Sequence, residues 1–407
     1  IFTICSLYKV ISLKKMKRMI CYIIFSVVLS NILLPLKYVH AYGGMENNDL
    51  MEELNFKKDP NNIEKRLVVN ARAYVALDAN SKIVLTEKNS DVIMPMASTT
   101  KIITALVALK YGRLDQEVEI SQRAAAIHGS TVGYKKGEKI TIKELLFGLM
   151  LRSGNDAAIA IAEGVSGSVE EFVKLMNEYA AGLGLIDSHF HTPHGLDNPD
   201  HYSTAYDLAV VTAESKNHPL FDEIVSAKDV DGKEYGFTRD YHNINKILWQ
   251  IPEANGVKTG YTGGAGKCLV TSVDIQGNDV IIVVLNAPGR WNETIKINEY
   301  VRKNYEYKTF YSKGEIIGEA PVDKKNIKLT CEKDITLPVK KQSNYEVVVK
   351  APKEIKHDVL KGEKIGNVYV FEGDRLIYRN NLIAANDYKL GILRKKIHLP
   401  NIINKNN

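Results

Sequence analysis

The β-branched runs of this chain stand on either side of a helical stretch, and that placement most constrains its fold. Near the start, ARAYVALDANSKIVLTEKN (residues 71–89) reads as two strands around an Asn80-Ser81 turn. Far downstream, GVKTGYT, KCLVTSVDIQ and NDVIIVVLNA (residues 256–287) carry strand-like runs, the last two joined at Gln276-Gly277-Asn278-Asp279. Between them, the segments from Ser98, TIKELLFGLMLRSGNDAAIAIAEGV (141–165), SVEEFVKLMNEYAAGLGL (168–185) and TAYDLAVVTAES (204–215) show helical spacing, the last two with Ser168 and Thr204 as caps. ETIKINEYVRKNYEY (293–307) returns to helix. The expected fold is an α/β catalytic domain with one mostly antiparallel sheet, built from both ends of the domain and flanked by helices. Beyond Phe310 the segments are short, alternate apolar with polar residues and turn at glycines, so a small all-β domain follows.

Three short elements fall in order on that frame: Ser98-Thr99-Thr100-Lys101 opening a helix, Ser153-Gly154-Asn155 at a helix–helix break, and Lys258-Thr259-Gly260 on a strand. Matching stretches occur elsewhere, at Ser12 to Lys15 and at Ser215-Lys216-Asn217, so the context discriminates rather than the letters. A serine hydroxyl is a poor nucleophile at neutral pH and needs a base within hydrogen-bond reach. Serine and lysine at i and i+3 on a helix meet on one face. Lys101 serves as that base only when its amine is neutral. Desolvation against Ile102, Ala105 and Leu106 lowers its pKa, and a second cation such as Lys258 lowers it further. A helix N-terminus at Ser98 would also favour negative charge there.

At these motifs the chain resembles the penicillin-binding serine D-alanyl-D-alanine carboxypeptidases of the serine β-lactamase and DD-peptidase superfamily. The phrases PMASTTKIITA, LLFGLMLRSGNDAA, PHGLDNPDHYSTAYDLA and GVKTGYTGGAGKCLVTS carry the likeness, which extends over about residues 64–390. The resemblance implies that Ser98 is acylated, Lys101 is its base and Ser153 relays a proton to the leaving amine. It implies that Asn155 bonds the substrate backbone, and that Lys258 and Thr259, with Gly260, hold the terminal carboxylate. Backbone N–H groups of Ser98 and Tyr261 would form the oxyanion hole, and Arg290 in NAPGRWNE would be a further carboxylate partner. Peptidoglycan stem peptides would be the substrate and β-lactam antibiotics the inhibitors, with no cofactor and no metal. Class A β-lactamases carry S-D-N where this chain has S-G-N, and a deacylating glutamate for which no E-x-x-L-N stretch stands here between Asn155 and Lys258. Slow turnover of penicillin is therefore expected. A wall-binding protein without activity is the remaining alternative, disfavoured by intact Ser98, Lys101 and Lys258.

The rival chemistry in the sequence is zinc. HFHTPHGLDNPDH packs His189, His191, His194 and His201 into thirteen residues. No glutamate general base adjoins them, and Pro193 and Gly195 suggest a turn. Of four cysteines, Cys268 and Cys331 lie far apart and form neither a disulfide framework nor a metal knuckle, and Cys268 is read as a small core or near-site residue rather than a nucleophile.

Met16-Lys17-Arg18, the apolar MICYIIFSVVLSNILLPL and Val39-His40-Ala41 read as an export signal over residues 1–41, with 1–15 an upstream extension. The expected order is then a leader (42–65), the catalytic domain (66–308), the β domain (309–387) and a basic tail (388–407). Net charge is +6, but residues 308–407 hold 20 Lys+Arg against 12 Asp+Glu. A basic C-terminal hundred on an exported protein suits weak contact with an anionic membrane surface. Nucleic acid is not an expected partner.

Overall fold

A computed structural model describes residues 67–323 and 325–390. The expected export signal and leader, and the tail from residue 391 on, lie outside the described residues. The central sheet has five antiparallel strands: β1 (Ala73–Asp78), β2 (Val84–Lys88), β3 (Ala254–Thr262), β4 (Gly266–Ile275) and β5 (Asn278–Leu285), in the order β2-β1-β5-β4-β3. The early hairpin and the late strands meet where β1 pairs with β5, Val75 opposite Val283. The α/β expectation holds.

Strand alternation sorts the central residues into two cores. Val75, Leu77, Ile281 and Val283 face one side and pack with α1 (Lys101–Tyr111), α2 (Ile142–Leu151), α3 (Asn155–Ser166), α4 (Val169–Gly182) and α5 (Ala205–Lys216). Tyr74, Ala76, Ile282 and Val284 face the other side and pack with Ile297 and Val301 of α6 (Arg290–Asn304). Helix α1 is buried from Lys101 through Ala108, because helices and sheet surround it. Ser168 and Thr204 cap α4 and α5 as expected, accepting from the N–H groups of Glu171 and Asp207.

One boundary differs from its sequence reading. The helical pattern of 293–307 stops at Asn304, and Tyr305–Tyr311 is strand β6. Alternating aromatics favour a strand, and tertiary partners hold them. The Tyr305 hydroxyl donates to Leu85 O at 2.6 Å, and the Tyr307 hydroxyl donates to buried Asp78 Oδ1 at 2.5 Å. Beyond β6 the described residues form the expected all-β region around a core that includes Val322, Ile327, Leu337 and Val368.

The segment 193–197 crosses over the start of α1. Thr104 Oγ1 donates to Pro193 O at 2.7 Å. Gly195, at φ +89°, lies so close to the turn before α1 that a Cβ there would run into the Ala97 carbonyl oxygen. Glycine alone meets both demands. Gly195→Ala is expected to lower unfolding stability by about 2–3 kcal/mol. A wild-type midpoint in denaturant unfolding would show that this contact relaxes freely.

Candidate active site

Ser98 sits in a single 3-10 turn, Ala97–Thr100, and α1 begins only at Lys101. This corrects the sequence reading of a helix-starting serine, for the N-cap positions fall at Met96 and Thr100 and neither makes a side-chain cap bond. The neighbouring hydroxyls fold back on the turn instead. Thr99 Oγ1 donates to Met96 O at 2.6 Å and Thr100 Oγ1 to Ala97 O at 2.7 Å. Ala97 adopts φ +50°, a strained value for a non-glycine residue immediately before Ser98.

The i, i+3 pairing is present. Lys101 is fully buried, and its Nζ lies 2.9 Å from Ser98 Oγ, 2.8 Å from Asn155 Oδ1 and 2.7 Å from the His194 carbonyl oxygen. None of the three is a carboxylate. Burial holds the Lys101 pKa well below that of a free lysine, Lys258 lowers it further, and Asp156 opposes the shift. As an ammonium the group donates to all three acceptors. As an amine it presents a lone pair to the Ser98 hydroxyl.

The second motif lies between α2 and α3. Ser153 is buried at φ +60°, and Asn155 opens α3. Asn155 Oδ1 accepts from Lys101, and its Nδ2 donates to His128 O at 2.8 Å. One Nδ2 hydrogen is left over for a substrate. Asp156, which sequence reasoning passed over, is buried and accepts from the N–H groups of Val132, Gly133 and Tyr134 at 2.8–3.2 Å. Asn155 and Asp156 together pin residues 128–134 beside the site. The only sequence signal for this was an acidic residue directly after the motif.

The third motif lies on the edge strand β3. A Cβ on Gly260 would stand 3.1 Å from Ser98 N, which measures how closely the strand approaches the nucleophile's turn. Lys258 is buried, donates to Thr259 O at 3.0 Å, and is brought to about 7 by burial and then by the cation of Arg290. Thr259 is buried and Tyr261 is exposed. Arg290 Nη1 bonds Gly260 O at 2.7 Å and Cys268 O at 3.1 Å, so this nitrogen braces β3 and β4 rather than facing a substrate. Burial pushes the Cys268 thiol up to about 11, away from nucleophilic use.

The histidine-rich phrase serves the same site. Besides the His194 carbonyl on Lys101, His201 Nδ1 accepts from His191 N at 2.9 Å, and its Nε2 lies 2.8 Å from Thr100 Oγ1. Because Thr100 Oγ1 donates to Ala97 O, the Nε2 of His201 carries the proton. Burial lowers His201 to about 4, keeping the ring neutral. Asp197 accepts from Thr262 Oγ1 at 2.6 Å and Gly264 N at 3.0 Å, clamping the segment to the β3–β4 turn. Neither role was legible in the sequence, where the cluster read as a zinc alternative.

Comparison with known proteins places the sequence and the fold in a family. The D-alanyl-D-alanine carboxypeptidase profile matches residues 60–289, and that of the penicillin-binding protein 5 C-terminal domain matches residues 305–390. The chain is 31% identical over 353 residues to the D-alanyl-D-alanine carboxypeptidase DacF of Bacillus subtilis, covering 82% of this chain and 90% of that one. It is 34% identical over 342 residues to DacA of Haemophilus influenzae, covering 78% and 85%. The crystal structure of penicillin binding protein 5 from Haemophilus influenzae superposes with a TM-score of 0.72 at 31% identity, covering 80% of this chain and all of that one. With the catalytic profile spanning more than half of the sequence and a buried lysine set against the motif serine, the chain belongs to the D-alanyl-D-alanine carboxypeptidase family of serine peptidases.

Proposed function

We propose that this chain removes the terminal D-alanine from peptidoglycan stem peptides through an acyl-enzyme on Ser98, and that penicillin acylates the same atom. The observation that carries the reading is Lys101 Nζ, fully buried, 2.9 Å from Ser98 Oγ, and bonded only to uncharged acceptors. Ser98 Oγ attacks the carbonyl carbon of the penultimate D-alanine while Lys101 takes its proton. Backbone N–H groups of Ser98 and Tyr261 stabilise the oxyanion. The C–N bond breaks as Ser153 passes a proton to the leaving amine, and water then releases the shortened peptide. Lys258 and Thr259 hold the terminal carboxylate, close to Ser98 because Gly260 admits the turn. Asn155 orients Lys101 and offers its remaining N–H to the peptide. Arg290 keeps β3 in place and keeps the site electropositive.

We further propose that the chain works outside the cytoplasmic membrane, with residues 1–41 as its export signal and the basic tail touching anionic lipid. Catalytic residues 66–308, a β region to 387 and the tail remain the proposed division. Mature protein should sediment with anionic vesicles at low salt and lose most binding at high salt, since each basic residue contributes about 1 kcal/mol that salt screens. Tight binding at high salt would show an apolar anchor instead.

Intact mass after brief penicillin exposure should show one penicilloyl group per chain, mapped to Ser98 and absent in Ser98→Ala. Lys101→Ala should slow acylation by about 10²-fold or more, and near-normal rates would remove Lys101 from the role. Acylation should rise with pH as Lys101 loses its proton. Because the charge of Lys258 lowers the Lys101 pKa, Lys258→Met should move that rising limb to higher pH, measured as the maximal acylation rate at saturating β-lactam. A limb that stays in place would uncouple the two lysines.

A further inference from the structure

In the stretch 242–250 lies a groove of about 570 Å³ that the mechanism above does not use. Its walls are His242, Asn243, Ile244, Lys246, Trp249 and Gln250. The groove is continuous with the site's own frame, since Ile244 N donates to Leu151 O at 3.1 Å, and Leu151 ends α2 two residues before Ser153. Trp249 is 47% exposed and Ile244 38% exposed, so an indole and an aliphatic side chain stand in water together. The indole is held in place: the His242 ring tilts over it at 5.5 Å, and Lys228 Nζ lies 5.7 Å from its centroid. His242 is itself fixed by Asp229, 2.5 Å from its Nδ1. A large apolar ring kept rigid and half exposed, rimmed by amide and amine groups, suits a ligand with one apolar face and many hydroxyl or amide groups.

Charge narrows the choice. The adjoining recess is lined by Asp229, Asp231 and Asp240 with Arg152 as the only arginine or lysine among its lining residues. That surface disfavours the carboxylate-rich middle of a stem peptide. It tolerates a neutral sugar. A stem peptide hangs from the glycan strand by an amide, which removes the charge of the sugar's own carboxylate.

We propose that the Trp249 groove seats the N-acetylated glycan strand of the polymer whose stem peptide occupies the catalytic site. The proposal rests on the peptidoglycan reading above. The indole stacks on the apolar face of a pyranose ring, Lys246 and Gln250 bond its hydroxyl and acetamido groups, and the enzyme thereby favours polymer over free peptide.

The test compares kcat/KM on a free pentapeptide with kcat/KM on the same pentapeptide bearing an N-acetylglucosaminyl-N-acetylmuramyl disaccharide. The wild type should favour the glycosylated substrate by about five- to tenfold, the scale of one aromatic stacking contact. Trp249→Ala should bring the ratio to about one, and Trp249→Tyr should restore part of it, which a purely structural role would not do. A wild-type ratio near one, or a preference that persists in Trp249→Ala, overturns the proposal. Co-sedimentation with an insoluble, uncharged and peptide-free glycan, poly-N-acetylglucosamine, separates this idea from the catalytic reading. If penicillin fails to label Ser98 but the wild type still sediments with bare glycan and Trp249→Ala does not, the groove stands and the mechanism falls. If the wild type leaves bare glycan in the supernatant, the groove assignment falls whatever the labelling shows.

Discussion

The buried amine of Lys101 is the constraint around which the site is organised. A lysine removed from water loses hydration that only hydrogen bonds or a counter-charge replace. Here three uncharged acceptors serve it, from Ser98 in the 3-10 turn just before it, Asn155 at the start of α3 and the His194 carbonyl. A carboxylate in direct contact would have locked the group as an ammonium. Uncharged acceptors accommodate either protonation state, and burial with Lys258 nearby favours the amine. Each acceptor comes from a different segment, so the chemistry requires those segments to be held in place.

Polar side chains hold them. Asp156 gathers the N–H groups of Val132, Gly133 and Tyr134, and Asp197 ties the segment after His194 to the β3–β4 turn. His201 joins the backbone of His191 to Thr100, one residue before Lys101. Two of the imidazoles that could have suggested a metal, His194 and His201, are kept neutral by burial, and His201 serves as a bracket. Two glycines complete it by absence of a side chain: Gly195 admits the Ala97 carbonyl, and Gly260 admits Ser98 N. The loops therefore behave as parts of the framework, and the strained φ of Ala97 and Ser153 persists because their surroundings fix it.

Much of this was legible before the fold was known. The β-branched run in 278–285 located β5, and serine and threonine caps located α4 and α5. The pairing of Ser98 with Lys101 followed from helical spacing, although the serine belongs to a 3-10 turn, where i and i+3 also align. The helix end at Asn304 was misplaced because what makes Tyr305 and Tyr307 strand residues is their bonds to Leu85 and Asp78, more than two hundred positions away.

What the sequence determined by itself is what depends on near neighbours: the element types, the antiparallel plan and the serine–lysine pair. Those rest on backbone periods of two to four residues, which any short window displays. The tertiary structure alone decided how completely that amine is desolvated, which carbonyl receives it and which side chains bind the loops. Lys101 meets Asn155 across 54 positions and His194 across 93. A pKa depends on burial and on charges gathered from distant segments, and no local spacing encodes them.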